Sequence, residues 1–330
     1  MLAGLVRDYG DIDAEVTACR TDAVLFDFSF VSRGTVRGPS ALAAVQTLTP
    51  RPLAALRPGR ILYAVRLDES GFARADLTIW QTAPETFEVF SGRREDIAAL
   101  SGGRDLSDET CILAVQGPRS LGALAPHADA ASLAALGYFD HAAIRVAGVE
   151  CRVGRLGYTG ERGFEIVAPA SAKEHLSTTL ARGMRRGGFA AADVLRIEAG
   201  FVLFVNELRP RVTAAEAGLS RFCPAGQGAP RVELVGFTAQ CDARPVLFEP
   251  PQNMAFPPAA GEIAVTSAAW SARLDRVIGL GYVGAGRREA AFTDPTGGAT
   301  AIRRAQVPFI DPEKRRVRGG WAASLLPVYG

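Results

Sequence analysis

The chain has 330 residues, 48% of them hydrophobic and 22% charged, with a net charge of +2. Those proportions fit a folded globular protein of two or three domains and argue against intrinsic disorder. A near-neutral balance leaves no electrostatic footprint for nucleic acid or an anionic membrane, and no apolar run approaches a membrane span, so neither partner is expected.

The five cysteines (Cys19, Cys111, Cys151, Cys223 and Cys241) are odd in number, widely spaced and free of any CxxC pair. With His127, His141 and His175 also lacking ligand spacing, neither a metal site nor a disulfide framework is expected. Lysine occurs only at Lys173 and Lys314, so arginine supplies nearly all the positive charge. Arg7 and Asp8 come early, with no long apolar run around them, so no signal peptide is expected and a cytoplasmic location is the default.

In chain order, a short helix is expected around Ala14 to Arg20. Ala23 to Phe30 reads as a strand, with Gly34 to Gly38 as its hairpin partner. Ser40 is placed to cap a helix through Leu42, Val45 and Leu48 that Pro50 and Pro52 stop. Three strands follow between residues 60 and 91, then a helix from Arg93 to Leu100. Cys111 to Gln116 is a further strand, closed by Gly117-Pro118. A hairpin turns at Gly148. Ser171-Ala-Lys-Glu174 has the form of a capping box and opens a helix carrying Leu176, Leu180 and Met184. Ala191 to Gly200 is the next helix. Residues 208–231 are rich in proline and glycine and read as a connection. Beyond them only strands recur, as in a small barrel or sandwich.

Two stretches invite chemistry. Leu156 to Ile166 packs three glycines into a turn and returns at once to an apolar strand pattern. Asp193 to Gly200 carries Glu198 among apolar neighbours, where periodicity alone leaves open a solvated face or a pocket wall. Asp27 and Asp76 also lie inside apolar strand runs, which demands an edge, a partner or a pocket. Gly279-Leu-Gly281-Tyr-Val-Gly284 matches the spacing of a dinucleotide turn. The helix whose N-terminus would hold the pyrophosphate is missing after it, so a Rossmann site is not expected. No nucleophile elbow and no phosphate-loop lysine motif is present.

Gly157-Tyr-Thr-Gly-Glu161 with Gly163-Phe-Glu-Ile166 resembles the signature of the glycine-cleavage T-protein, or aminomethyltransferase, superfamily. Leu25 to Ser29, Gly38 to Leu42, Ala114 to Pro118, Asp193 to Gly200 with Asn206-Glu207, Val265 to Ser267, Gly281 to Val283 and Val307 to Phe309 resemble further family motifs in the same order. The resemblance covers residues 18–312. It implies an α+β protein with three domains in a cloverleaf, two of them α+β and ferredoxin-like and the third a C-terminal β-barrel. The implied boundaries are 1–50 with 138–215, an insertion at 51–137, and 216–330. It further implies a tetrahydrofolate-binding one-carbon transferase that takes a methyl or aminomethyl unit from a small or protein-bound donor. The alternative is a folate-binding protein without chemistry, or a subunit of an amine-oxidising or demethylating complex.

By the same resemblance Glu198 grips the pterin, whose ring N–H and amine a carboxylate can accept in parallel. Tyr63, Tyr158, Glu161 and Ser91 match positions around the folate cavity. The family's paired aspartates fall on Ala75 and Asp76, so its catalytic carboxylate aligns with alanine and Asp76 or Asp27 is left as the substitute. Phe30 replaces a family histidine, and the family's early "F-H-G-W" segment is missing. The iron–sulfur-maintenance branch is disfavoured because Asn206 to Pro210 lacks its cysteine.

Overall fold

A strand buried on both faces must sit inside a sheet, whereas an alternating strand can face solvent on one side. That rule sorts the chain's strands. The computed structural model describes residues 4–223, 228–241, 243–295 and 300–321. In chain order the strands are β1 (Val24–Asp27), β2 (Ser32–Arg37), β3 (Arg60–Leu67), β4 (Ala73–Ala83), β5 (Thr86–Ser91), β6 (Arg104–Asp105), β7 (Thr110–Gln116) and β8 (His141–Val146). They continue with β9 (Val149–Gly154), β10 (Gly163–Pro169), β11 (Arg185–Gly187), β12 (Val232–Gln240), β13 (Ala264–Ser271), β14 (Arg276–Gly284), β15 (Ala291–Phe292) and β16 (Thr300–Ala305).

Three sheets result, in the orders β11-β1-β7-β10-β9-β8, β3-β4-β5-β2-β6 and β13-β14-β12-β16-β15. The fold is therefore mixed α+β. The described residues separate into two compact units. The first holds the chain up to Ala64, Asp76–Ala192 and the segment from Lys314 onward; the second holds Val65–Ala75 and Asp193–Glu313. Among the described residues no helix is long and apolar enough to cross a membrane.

The expected hairpin between Ala23–Phe30 and Gly34–Gly38 does not form. The apolar residues of β1 are buried on both faces, and it lies between β11 and β7 in the six-stranded sheet. Instead β2 pairs with β5, and Arg33 on β2 donates to both carboxylate oxygens of Glu88 on β5 at 2.9 and 3.2 Å. The strands of the first unit thus divide differently from the implied 1–50 and 51–137 segments: β2 joins the sheet of β3–β5, and β7 joins that of β1. Ser40 occupies the cap position of the helix Ala41–Gln46 without a side-chain hydrogen bond. Ser171 is likewise not a cap, since the helix runs Lys173–Leu180 from Ala172. Met184 lies beyond that helix, and the chain re-enters as β11, parallel to β1. Gly187 permits this approach, because a Cβ there would lie 2.3 Å from the Phe26 ring.

In the second unit the expected barrel is a five-stranded antiparallel sheet among the described residues. A single bridge, Glu262 to Thr293, links the chain beside its two outer strands. The dinucleotide-like glycines lie within β14. A Cβ at Gly279 would be 2.2 Å from the Ser267 carbonyl and 2.3 Å from the Phe237 ring, so glycine here serves close strand packing. The helix Phe189–Glu198 is anchored through Arg196, which is fully buried. Arg196 donates to Asp193 at 2.8 Å, Glu207 at 2.8 Å and the Ser267 hydroxyl at 2.6 Å. Glu207 also accepts from Thr266 and Ser267.

The glycine-rich turn after β9 is built around one buried amide. Gln116, at the end of β7, donates to the carbonyls of Leu156 and Phe164 and accepts from the Thr159 hydroxyl at 3.0 Å. Gly160 adopts φ +77°, a conformation other residues enter at a cost. A Cβ on Gly157 would fall 1.8 Å from Gln116 Oε1 and one on Gly163 2.6 Å from Gln116 Nε2. Gly157→Ala should therefore overpack the turn and lower stability by about 1–3 kcal/mol, read as a drop in the urea midpoint; an unchanged midpoint would show that Gln116 can move aside freely.

Candidate functional site

The site grows from strand alternation in β4. Ala73, Ala75, Leu77 and Ile79 are buried, while Arg74, Asp76 and Thr78 are only partly so. Side chains on a strand alternate faces, so Ala75 shares the face of Leu77 and Ile79, both core residues. Asp76 lies on the other face. There its carboxylate accepts a hydrogen bond from the hydroxyl of Tyr63 on the neighbouring strand β3. A carboxylate at position 75 would point toward the Leu77 side, away from Tyr63.

Tyr158, from the glycine-rich turn, completes the cluster. Burial raises the pKa of Tyr63 well above the usual phenol range, and Asp76 and Tyr158 add to the effect through their negative charge. Asp76 itself is raised to about 6. Burial is the main cause, its own backbone amide and the Tyr63 hydroxyl oppose it, and the charge of Asp96 reinforces it. Asp76 keeps some solvent exposure. A carboxylate with a pKa near the working pH and an adjacent phenol can take up and return a proton. Behind the cluster, Arg51 donates to the backbone carbonyl of Tyr63 and holds β3 at this level.

The other sequence-derived site residues fall elsewhere. Ser91 is buried; its hydroxyl donates to Asp96 at 2.7 Å and accepts from the amide of Arg93, the residue before the helix Arg94–Ala98. Through Asp96 it touches the cluster only indirectly. Glu161 is engaged by two arginines, Arg20 at 3.1 Å and Arg316 at 2.7 Å, and is almost fully buried. Such pairing answers the desolvation cost of a buried carboxylate. Asp27 stands at the exposed end of β1, 2.7 Å from the Lys173 ammonium. Burial pushes its pKa up, yet hydrogen bonds from Lys173 and Ser29 outweigh that and leave it below the usual carboxylate value. Asp27 is thus an ionised surface partner, unlike Asp76.

Glu198 belongs to the second unit. It is fully buried, its carboxylate accepts the Ser271 hydroxyl at 2.6 Å, and its backbone carbonyl accepts the amides of Phe309 and Ile310. The sequence reading missed Asp96, Arg51 and Arg20. Asp96 reads as an ordinary acid in a first helical turn, and the two arginines read as solvated charges; no local pattern separates them from the chain's many others. Among the described residues, no group of three or more His, Cys, Asp or Glu side chains is placed to hold a metal ion.

Comparison with known proteins now decides the family. A family model described as the GCVT N-terminal domain matches residues 7–226. The chain belongs to this aminomethyltransferase family. It is 34% identical over 309 residues to a probable aminomethyltransferase of Halobacterium salinarum, covering 84% of this chain and 83% of that protein. It is 35% identical over 304 residues to an aminomethyltransferase of Rubrobacter xylanophilus, covering 83% and 80%. The fold matches the crystal structure of the glycine cleavage system aminomethyltransferase T from Bartonella henselae, with a TM-score of 0.74, 26% identity and coverage of 91% and 90%.

The raised pKa of Asp76 has a measurable consequence. The neutral acid is favoured in the folded state, so between about pH 4 and pH 6 the folded chain holds a proton that the unfolded chain releases. The stability this confers is present below that window and is lost as pH rises through it. Asp76→Asn, neutral throughout, should therefore gain on wild type by on the order of 1–2 kcal/mol between pH 4 and pH 7, with partial solvation holding the figure below that of a sealed group. Thermal unfolding of both proteins across the range checks it, and parallel pH profiles would show that Asp76 titrates as a normal aspartate.

Proposed function

We propose that this chain is a tetrahydrofolate-dependent one-carbon transferase in which Asp76 is the reactive carboxylate. The observation that carries this reading is the hydrogen bond between Asp76 and Tyr63 on the face of β4 opposite the core, with the carboxyl raised to about 6. The alanine at position 75 then costs the site no carboxylate, because that position belongs to the core face of the strand.

The residues suit a folate. Its pterin offers N–H and amine donors that need a buried acceptor, and Glu198 is a fully buried carboxylate already fixed by Ser271. Tyr63 and Tyr158 offer flat apolar surface with polar tips for a conjugated ring. Tetrahydrofolate supplies the nitrogen nucleophile that accepts the one-carbon unit. Asp76 in its ionised form takes the proton released at that nitrogen, and Tyr63 holds the carboxylate in position for it. Near neutral pH, Asp76 is mostly ionised yet basic enough to accept a proton, the balance general base catalysis requires. The donor is an aminomethyl group carried on a protein, or a small methylated amine already oxidised to the iminium by a partner enzyme; the carbon bonds to the folate nitrogen as its bonds to the donor break, and the proton that Asp76 took passes to the departing amine.

Calorimetric titration of tetrahydrofolate into the full chain tests recognition, and turnover with a protein-borne aminomethyl group, dimethylglycine or a methyl thioether tests chemistry. Glu198→Ala should abolish or greatly weaken folate binding. Asp76→Asn should retain binding and lower turnover about 10²–10⁴-fold, while Ala75→Asp should destabilise the fold and add no activity. Failure of the wild type to bind tetrahydrofolate would overturn the reading. Tight binding with no turnover of any donor would point instead to a folate-binding protein without chemistry, or to a subunit of an amine-oxidising assembly.

A further inference from the structure

A cavity of about 250 Å³ lies in the first unit, at the end of β1, between the chain's first described residues and the start of the helix Phe189–Glu198. Tyr63, Asp76, Tyr158 and Glu198 do not line it. Its floor is a rank of aromatic rings. Phe28 meets Phe30 edge to face at 6.0 Å between centroids, and Phe30 meets Phe189 in the same way at 5.5 Å. Tyr9, 43% exposed, also lines it. Set edge to face, the rings give one wall of the cavity apolar edges and faces that accept hydrocarbon of aromatic or branched form.

The cavity's charge is confined to two groups. Asp27 and Lys173 both line it and face each other at 2.7 Å, with side chains 41% and 44% exposed. An ion pair so open to water contributes little to stability, so parting it costs little. A ligand that parts it must offer both charges, a cation to Asp27 and an anion to Lys173. A ligand with one charge would leave the other member unsatisfied. The two charges must also sit close together, since the gap they enter is narrow, and the remainder of the ligand must be apolar to lie on the phenylalanines. The space is smaller than a typical drug-sized pocket of about 300–1,000 Å³, which suits a single small molecule.

We propose that this cavity binds a free α-amino acid with an apolar side chain, its ammonium on Asp27 and its carboxylate on Lys173. Ser29 fixes the acceptor by donating its backbone N–H to Asp27 Oδ1 at 3.0 Å, which leaves Oδ2 directed at the lysine and at whatever replaces it. The low pKa of Asp27 keeps it ionised at neutral pH. Because Lys173 is one of only two lysines in the chain, a lysine at this position also gives the site an addressable probe.

Calorimetry on the full chain, with L-phenylalanine, L-leucine, 2-phenylethylamine and 3-phenylpropionate, tests the proposal. The two amino acids should bind saturably, and each single-charge analogue should bind at least about tenfold more weakly, the equivalent of 1.4 kcal/mol. Lys173→Gln and Asp27→Asn should each weaken phenylalanine by a similar factor with circular dichroism unchanged. Should either variant fail to fold, amide NMR of the wild type replaces it, with phenylalanine expected to shift the Ser29 and Gly188 resonances. Absence of saturable binding, equal binding of a single-charge analogue, indifference of the folded variants, or shifts confined to other parts of the chain would each overturn it.

Discussion

The glycine-rich turn that carries Tyr158 is built around one buried side chain, the amide of Gln116. It has no exposed surface, and it spends its donors on the carbonyls of Leu156 and Phe164 and its acceptor on Thr159. A buried amide left unpaired would cost on the order of 1–3 kcal/mol, so the turn must keep the shape that pairs it. That requirement dictates the glycines. Gly157 and Gly163 have no room for a Cβ against Gln116, and Gly160 supplies the positive φ that reverses the chain. The family signature around Tyr158 is thus a packing solution around an amide, and the placement of Tyr158 follows from it.

Buried charges perform the same anchoring over longer distances in sequence. Glu161 joins Arg20, from the first helix, to Arg316, from the last described segment of the first unit. In the second unit Arg196 joins Asp193 and Glu207, and Glu207 in turn accepts from Thr266 and Ser267 on β13. Ions removed from water need complete pairing, and removal of one partner leaves the other uncompensated at a cost of about 3–5 kcal/mol. This explains why Asp193, Arg196, Glu207, Thr266 and Ser267 sit in separate motifs yet come as a set.

Local sequence showed much of this and concealed the rest for physical reasons. The strands from 60 to 91, the hairpin at Gly148 and the helix bearing Glu198 were readable, because alternation, turn residues and helical spacing act over a few residues. The partner of β1 was not readable. Its pairing with β7 and β11 follows from burial on both faces, and nearness to Gly34–Gly38 in sequence does not override that. The site was half legible. Tyr63, Asp76 and Tyr158 were singled out, and Asp76 and Tyr158 both act on Tyr63. Asp96 and Arg51 act on them from segments whose sequence reads as an ordinary helix start and a proline-bound turn. The face that each member of the Ala75–Asp76 pair takes depends on the register of β4, which a one-residue shift would invert.

Asp27 and Asp76 show what that register decides. Both are aspartates within apolar strand sequence, and either could have been named the reactive group. Asp27 ends its strand beside an ammonium and two hydrogen bonds from Ser29 and Lys173, so its charge is welcome and its pKa falls. Asp76 lies mid-strand, where burial and the charge of Asp96 outweigh the help of Tyr63, and its pKa rises to about 6. A proton taken and returned near neutrality suits the second better, because a carboxylate held below its usual pKa is the weaker base. Two carboxylates of identical type are thus moved to opposite sides of the ordinary carboxylate range by what surrounds them.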